Sequence, residues 1–449
     1  MLIDRPILFL PVEIPVRELD YKLNIARYFI DDNFDVIIGL PAYIRDQLSL
    51  TNIQGVFLEK GINPIPEYYE SLAKKGLYVY DLTDEGMGAL VYSITNETAV
   101  NTLGKMRKIF LWGSYQKNDL LAKNSSADLI SKFEVTGNPG FDLCVPRFIP
   151  YHQQLRSRSL PETYILVNTN FASCNGMSCE EQIKNCQQIS QETIDHIYEM
   201  QQIETKQFLA FKEWLLNIIQ SFPDEQFLIR PHPAEFIEAY DFLRQYPNVF
   251  ISKEGTSNQV IASAKLVLHK DCTTALQSFL MEKPVISIGG EEVHTGKEQW
   301  ALAFGTVPLT VQQAIGQISF ILRTQSHKSE DLFDISKRSK SILTSCFSNL
   351  GKSTQILKET ILNDVGGAFD GMTPYKLKDT RPWLARFKLA IRRYLPLHYN
   401  VAKAARETLI EYTKRDIEKR LSLFEEVDPL GINYKVKKIY PNTYWVRKK

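Results

Sequence analysis

No run of about 18 uncharged apolar residues occurs in this 449-residue sequence, so no membrane-spanning helix is expected. The opening, Met1-Leu-Ile-Asp-Arg-Pro, lacks a basic segment followed by a long apolar run, and no secretory signal is expected from it. Without export, free thiols are the default for the six cysteines at 144, 174, 179, 186, 272 and 346. Cys174, Cys179 and Cys186, with His196 beyond, lack the tight C-x2-C pairing that zinc prefers. A reduced thiol cluster on a loop is favoured, and no metal site is expected. Net charge is only +1, which argues against a dedicated nucleic-acid binder. No internal repeat or low-complexity tract stands out.

What is present is an alternation of short apolar runs with amphipathic stretches. Strands are expected at Ile7–Val12, Asp35–Gly39, Gly55–Glu59, Leu77–Asp81 and Lys108–Trp112, with helices such as Arg17–Ile30 and Pro66–Lys74 between them. After the proline-containing stretch 146–161 a second series begins, with strands at Tyr164–Thr169, Gln226–Arg230, Val249–Ser252, Lys265–His269 and Pro284–Gly289. Its helices are expected at Gln207–Gln220, Ala234–Arg244, Ser257–Ala264, Thr273–Met281, Val311–Thr324 and Ile335–Asn363. The Gln-rich segment Ser173–Gln202 reads as a loop or a helical excursion. Apolar strands alternating with helices indicate parallel sheets covered on both faces. The expected class is therefore α/β with two Rossmann-like domains, residues 1–150 and 151–365. A basic amphipathic helical extension, 366–449, follows Gly366-Gly367.

The richest stretch for chemistry runs from Phe227 to Gly290. Arg230-Pro-His-Pro233 follows an apolar strand at its C-terminal end, where open α/β sheets bind ligands. The prolines fix the backbone, and His232 offers a donor at a defined position. A second strand ends in His269-Lys270-Asp271, followed by Cys272, Thr273 and Thr274 and an amphipathic helix. Thr273 or Thr274 suits the cap of that helix, whose exposed N–H groups would attract a phosphate. Each feature has a plain structural counterpart: the threonines as ordinary caps, His232 as a satisfied turn residue. Two such turns on one sheet favour the binding reading.

The His-Pro turn paired with a threonine-rich helix start resembles GT-B glycosyltransferases of bacterial surface polysaccharides that use CMP-activated acidic sugars. LPVEIPVRELDYKLNIA from Leu10, LTDEGM at 82–87, VTGNPGFDL at 135–143 and ILVNTNF at 165–171 are similar to the surface carbohydrate biosynthesis protein family. That family is related to β-Kdo transferases and more distantly to CDP-glycerol polymerases, and the resemblance covers about residues 5–360. It implies a GT-B-like pair of domains facing a central cleft, the first for acceptor and the second for donor. Arg230, His232, Pro233, His269, Lys270, Thr273 and Thr274 would bind donor nucleotide and phosphate. Asp84 and Glu85, just after the strand Leu77–Asp81, would supply the base or nucleophile that glycosyl transfer needs, unless they form an ordinary exposed turn. Glu13, Arg17, Asn138 and His294 would line the acceptor site or cleft, although charges such as Glu13, Arg17, Glu18 and Asp20 also suit a solvated helix start. Where the family pattern has arginine after Asn-Pro, this chain has Gly140, which puts any contact from that arginine in doubt.

The resemblance thus implies a metal-independent transferase without cofactor, moving a sugar such as Kdo or a nonulosonic acid from a CMP donor to a surface or lipid-linked glycan. A CDP-glycerol-type glycerophosphotransferase and a non-catalytic nucleotide- or glycan-binding assembly subunit are the alternatives. From Lys376 to Arg406 there are nine Lys/Arg and one acidic residue, Asp379. Trp383, Phe387 and Ile391 share one helical face there, with Arg386, Lys388, Arg392 and Arg393 on its flanks and opposite side. That pattern suits an anionic membrane surface and a cytoplasmic protein peripheral to the inner face of the membrane. A helix packing back onto the first domain is the alternative.

Overall fold

A computed structural model describes residues 2–50, 53–60, 66–82, 97–123, 127–186, 189–293, 300–372, 374–376 and 412–449. The chain forms two compact units. One comprises Met1–Leu143 and Leu343–Lys449, the other Cys144–Ile342. Among the described residues no helix is long and apolar enough to cross a membrane.

In the first unit, β1 (Leu2–Ile3) pairs antiparallel with β13 (Tyr375–Lys376), apart from the main sheet. The main sheet contains β2 (Ile7–Pro11), β3 (Asp35–Gly39), β4 (Gly55–Glu59), β5 (Leu77–Leu82), β6 (Lys108–Leu111) and β7 (Phe133–Val135), all parallel. A hairpin of β14 (Tyr434–Tyr440) and β15 (Thr443–Lys448) completes it, in the order β14-β15-β3-β2-β4-β5-β6-β7. Every residue of β2, β3 and β4 is buried, as apolar strands covered on both faces require. The following helix, Pro15–Asp31, opens with proline at a position whose N–H would have no helical partner.

The hairpin corrects the expectation of a purely helical extension. Within 412–449, the helix Lys414–Val427 leads into two strands. On β14 the lysines 435, 437 and 438 are exposed while Val436 is buried, so these basic residues belong to a strand. β15 pairs antiparallel with β3, and Trp445 enters the core, donating from Nε1 to buried Asp35 Oδ2 at 3.0 Å. A Cβ on Gly39 would lie 2.3 Å from the Asn442 carbonyl oxygen, so that close approach needs glycine. Fully buried Arg27 ties the Pro15–Asp31 helix to this C-terminal element, donating to Glu425 at 3.2 Å and to the Tyr434 hydroxyl at 3.3 Å. The basic segment that carries Trp383, Phe387, Ile391 and Arg386 lies outside the described residues.

The second unit has one parallel sheet: β8 (Tyr164–Asn168), β9 (Phe227–Arg230), β10 (Val249–Ile251), β11 (Ala264–His269) and β12 (Val285–Ser287), in the order β10-β9-β8-β11-β12. All five strands lie where the sequence pattern predicts them. The Gln191–Ser221 helix is longer than its apolar pattern, which holds only for Gln207, Phe211, Leu215, Ile218 and Ile219. Its polar first half is started by Ser190, whose hydroxyl accepts from Thr193 N–H, and is carried by the packed second half. The helix expected over 335–363 is instead two, Ser329–Cys346 and Ser353–Val365, separated where Asn349 and Gly351 adopt positive φ. The stretch expected as helix 234–244 is a 3-10 turn, Ile237–Leu243.

Candidate functional site

Strand order locates the natural ligand position in each sheet. In the second unit the chain steps from β8 outward to β9 and β10, then returns to lay β11 on the other side of β8. The order reverses between β8 and β11, and a crevice at the C-terminal ends of such strands is where open sheets bind ligands. Asn168, Thr169 and Asn170 leave β8 there, and His269, Lys270 and Asp271 leave β11.

These turns are bonded to one another. Asn168 Nδ2 donates to Thr274 Oγ1 at 3.0 Å, Asn170 Nδ2 donates to the Asp271 carbonyl at 2.9 Å, and Lys270 Nζ donates to the Asn170 carbonyl at 3.1 Å. Asp271 holds φ of +35°, a conformation uncommon outside glycine and a mark of a turn held by its surroundings. On the other side, buried Glu235 accepts from Thr169 Oγ1 at 2.7 Å and from His232 N–H at 2.9 Å. Its second oxygen accepts from the Tyr240 hydroxyl and from Asn175 Nδ2. Lys253 Nζ donates to the carbonyls of Pro233 and Glu235. The Arg-Pro-His-Pro turn is thereby clamped from both sides.

Within that turn His232 is half-buried, and its Nδ1 accepts from Ala234 N–H at 3.2 Å. The neutral ring therefore carries its proton on Nε2. Pro233 is exposed. Arg230 is turned elsewhere, donating to the Glu254 and Gly255 carbonyls at 2.9 Å each, and burial lowers its pKa. Burial pushes the Cys272 thiol up, opposed by hydrogen bonds with Thr274 and the nearby positive charge of Arg230, so the two turns adjoin.

The expected donor residues thus separate into two sets. His232, Pro233 and Thr273 reach the surface. His269 is fully buried, its Nε2 2.7 Å from Ser287 Oγ between β11 and β12, and Lys270 points inward over the Phe171 ring. Thr273 precedes the helix without a side-chain capping bond, and Thr274 Oγ1 accepts from Asn168. The expected cap is therefore replaced by a link between the end of β8 and the start of the helix that follows β11.

The first unit reverses its strand order between β2 and β4. Buried Glu18 sits at that point, accepting from the N–H groups of Glu13 and Ile14 at 2.9 Å each, from Lys22 Nζ at 2.9 Å and from Lys60 Nζ at 2.5 Å. It stands in for the missing side-chain cap of the Pro15–Asp31 helix. Burial alone would raise its pKa, but the charges and hydrogen bonds of Lys22 and Lys60 outweigh this and hold it at about 2. Lys60 also reaches Glu13 at 2.9 Å, while Arg17 is exposed on the first helical turn. Asn138 forms a local turn, its Oδ1 accepting from Gly140 N–H at 2.7 Å. Four residues on, the Asp142 carboxylate accepts from Ser353 and Thr354 N–H and caps the Ser353–Val365 helix. The motif at 135–143 thereby joins the two sequence segments of this unit. Asp84, Glu85 and His294 lie outside the described residues.

Sequence reasoning passed over Asn168, Thr169, Asn170 and Glu235 as site residues. The available signal was a polar Asn-Thr-Asn directly after a fully apolar central strand, and an acid three residues after His232. Among the described residues no group of three or more His, Cys, Asp or Glu is placed to hold a metal ion.

Two α/β units, each with a sheet whose parallel strands reverse their order beside the first long strand, define a protein of two Rossmann-like units. No protein-family profile matches the chain, and no curated protein does. Among solved structures, the chain is similar to the UDP-GlcNAc 2-epimerase from Neisseria meningitidis bound to UDP-GlcNAc, at 15% identity over 80% of this chain and 99% of that one, with a TM-score of 0.44. It is also similar to the wall teichoic acid polymerase TagF, at 12% identity over 80% and 89% with a TM-score of 0.47. The UDP-GlcNAc 2-epimerase from Methanocaldococcus jannaschii gives 12% identity over 79% and 99%, TM-score 0.47.

Proposed function

We propose that this chain is a GT-B-type enzyme of surface-glycan synthesis that binds a nucleotide-linked donor at the β8/β11 turns and transfers its sugar to a glycan acceptor. The observation that carries this is the bonding of three polar turns, 168–170, 230–235 and 269–274, into one unit at the strand-order reversal. In this reading Glu235 is a positioning residue. It holds the His232 turn so that Nε2–H faces a nucleotide phosphate or ribose, while Thr273 and Asn170 offer further polar groups. The acidic Asp84-Glu85 pair, which follows β5 in the sequence, supplies the carboxylate that deprotonates the acceptor or attacks the anomeric carbon. Of the possible donors, a CMP-linked acidic sugar is favoured by the sequence resemblance.

Thermal shift with CMP, CDP, UDP and UDP-GlcNAc tests the assignment, because a ligand that binds only the folded state raises its apparent stability. CMP or CDP is expected to raise the melting temperature, and His232→Ala to remove most of that rise. A rise with UDP-GlcNAc alone would replace the cytidine donor with a uridine one. No rise with any nucleotide would remove the donor site from these turns.

A further inference from the structure

One strand further along the second sheet, beyond β12, lies a hollow of about 550 Å³ that none of the residues above uses. Its size falls within the usual range of small-molecule sites. One wall is a single face of the Gln191–Ser221 helix: Ala210, Glu213, Trp214 and Asn217 follow one another at helical spacing. The opposite wall is Leu309 and Val311 at the start of the Val311–Thr324 helix, and the floor is Gly289-Gly290. Both glycines have positive φ, and a Cβ on Gly290 would come within 3.1 Å of Trp214 Cζ2. Glycine thus lets the indole lie against bare backbone, and Trp214 stays half-buried at the wall of the hollow. Leu309 is 61% exposed, an apolar side chain kept at the rim.

The polar groups are unspent. Among the described residues neither the Glu213 carboxylate nor Trp214 Nε1–H has a hydrogen-bond partner, and Asn217 uses only its amide nitrogen, on the Glu213 carbonyl. An aromatic face, one carboxylate and one amide form the set that fits a pyranose ring. The sugar's C–H face lies on the indole, whose π-cloud is negative, and its hydroxyls donate to the carboxylate and exchange bonds with the amide. The carboxylate disfavours an anionic sugar, and among the described lining residues no cation would attract a phosphate.

We infer that this hollow is a binding subsite for a neutral hexopyranose residue of a glycan. The inference goes beyond the donor-site reading and does not depend on it.

The test follows the five indole N–H resonances of the full chain, assigning that of Trp214 through Trp214→Phe. Methyl glucosides, methyl galactosides and their N-acetylated forms are titrated, with CMP and UDP as controls. At least one neutral glycoside is expected to shift the Trp214 resonance in a saturable way. Glu213→Ala is expected to weaken that binding about tenfold, as loss of one charge-assisted hydrogen bond to a ligand does. Trp214→Ala is expected to abolish saturation transfer to the glycoside while leaving the melting temperature within a few degrees. No shift with any glycoside overturns the inference, as does a shift with nucleotides alone. Unchanged glycoside binding in a folded Trp214→Ala protein overturns it equally.

Discussion

Two buried carboxylates, Glu235 and Glu18, set the geometry at the two strand-order reversals, and they do so by different means. Glu235 is surrounded by neutral donors, a backbone N–H, two hydroxyls and an amide, so its charge is spread over hydrogen bonds. Glu18 is matched by two ammonium groups. That difference gives Glu18 a pH signature. Its folded pKa of about 2 lies below its ordinary 4.5, so the folded state resists protonation between those values. The stabilisation is complete above about pH 4.5, amounts to roughly 3 kcal/mol, and drains away as pH falls toward 2. Glu18→Gln should therefore flatten the fall of the urea midpoint between pH 5 and pH 3. At pH 7 it should cost about 3–5 kcal/mol, because Lys22 is left charged and buried without its partner. Parallel acid limbs in the two proteins would show that the Glu18 carboxylate is not engaged as described.

At the scale of elements, the C-terminal hairpin completes the first sheet. Without it β3 would present an open edge, and Asp35 would lose both Trp445 and Arg447, whose Nε lies 3.4 Å from Oδ1. Trp445→Ala removes a large buried side chain and a bond to a buried carboxylate. It should lower unfolding free energy by about 3–5 kcal/mol in urea titration. A loss below about 1 kcal/mol would make the hairpin a surface addition. The sequence made ten of the eleven described parallel strands legible because each is a short, mostly apolar run, and all ten expected strands fall within a residue or two of their places; β7, only three residues long, was passed over. The sequence hid the hairpin, whose exposed lysines 435, 437 and 438 mimic a solvated basic tail, and whose Trp445 finds its partner Asp35 410 positions away. The site was legible in part for the same reason. Arg230-Pro-His-Pro stands out locally, whereas the Thr169–Glu235 bond links residues whose types alone are unremarkable.

For the molecule as a whole, the second unit is an uninterrupted piece of chain while the first is built from two. Residues 144–342 contain the entire β10-β9-β8-β11-β12 sheet with its flanking helices, the donor-site turns and the hollow beside Trp214. Expressed alone, this piece should fold cooperatively and keep any nucleotide-induced rise in melting temperature seen for the full chain. Residues 1–143 alone should not fold, since they lack β14, β15 and the helices Ser353–Val365 and Lys414–Val427. Circular dichroism melts of the two pieces check this. A cooperative melt of 1–143 would show that its sheet stands without the C-terminal segment.

The pairing of β15 with β3 has a further consequence during synthesis, since a ribosome delivers the chain from one end. β3 is made before the whole second unit and its neighbour after it. At ordinary translation speed, about 5–20 residues per second, the gap is roughly 20–80 s. Through that interval the edge of β3 is open on a chain still tethered to its ribosome. The nascent protein, more than the finished one, is the form exposed to wrong strand pairing and in need of a chaperone's cover.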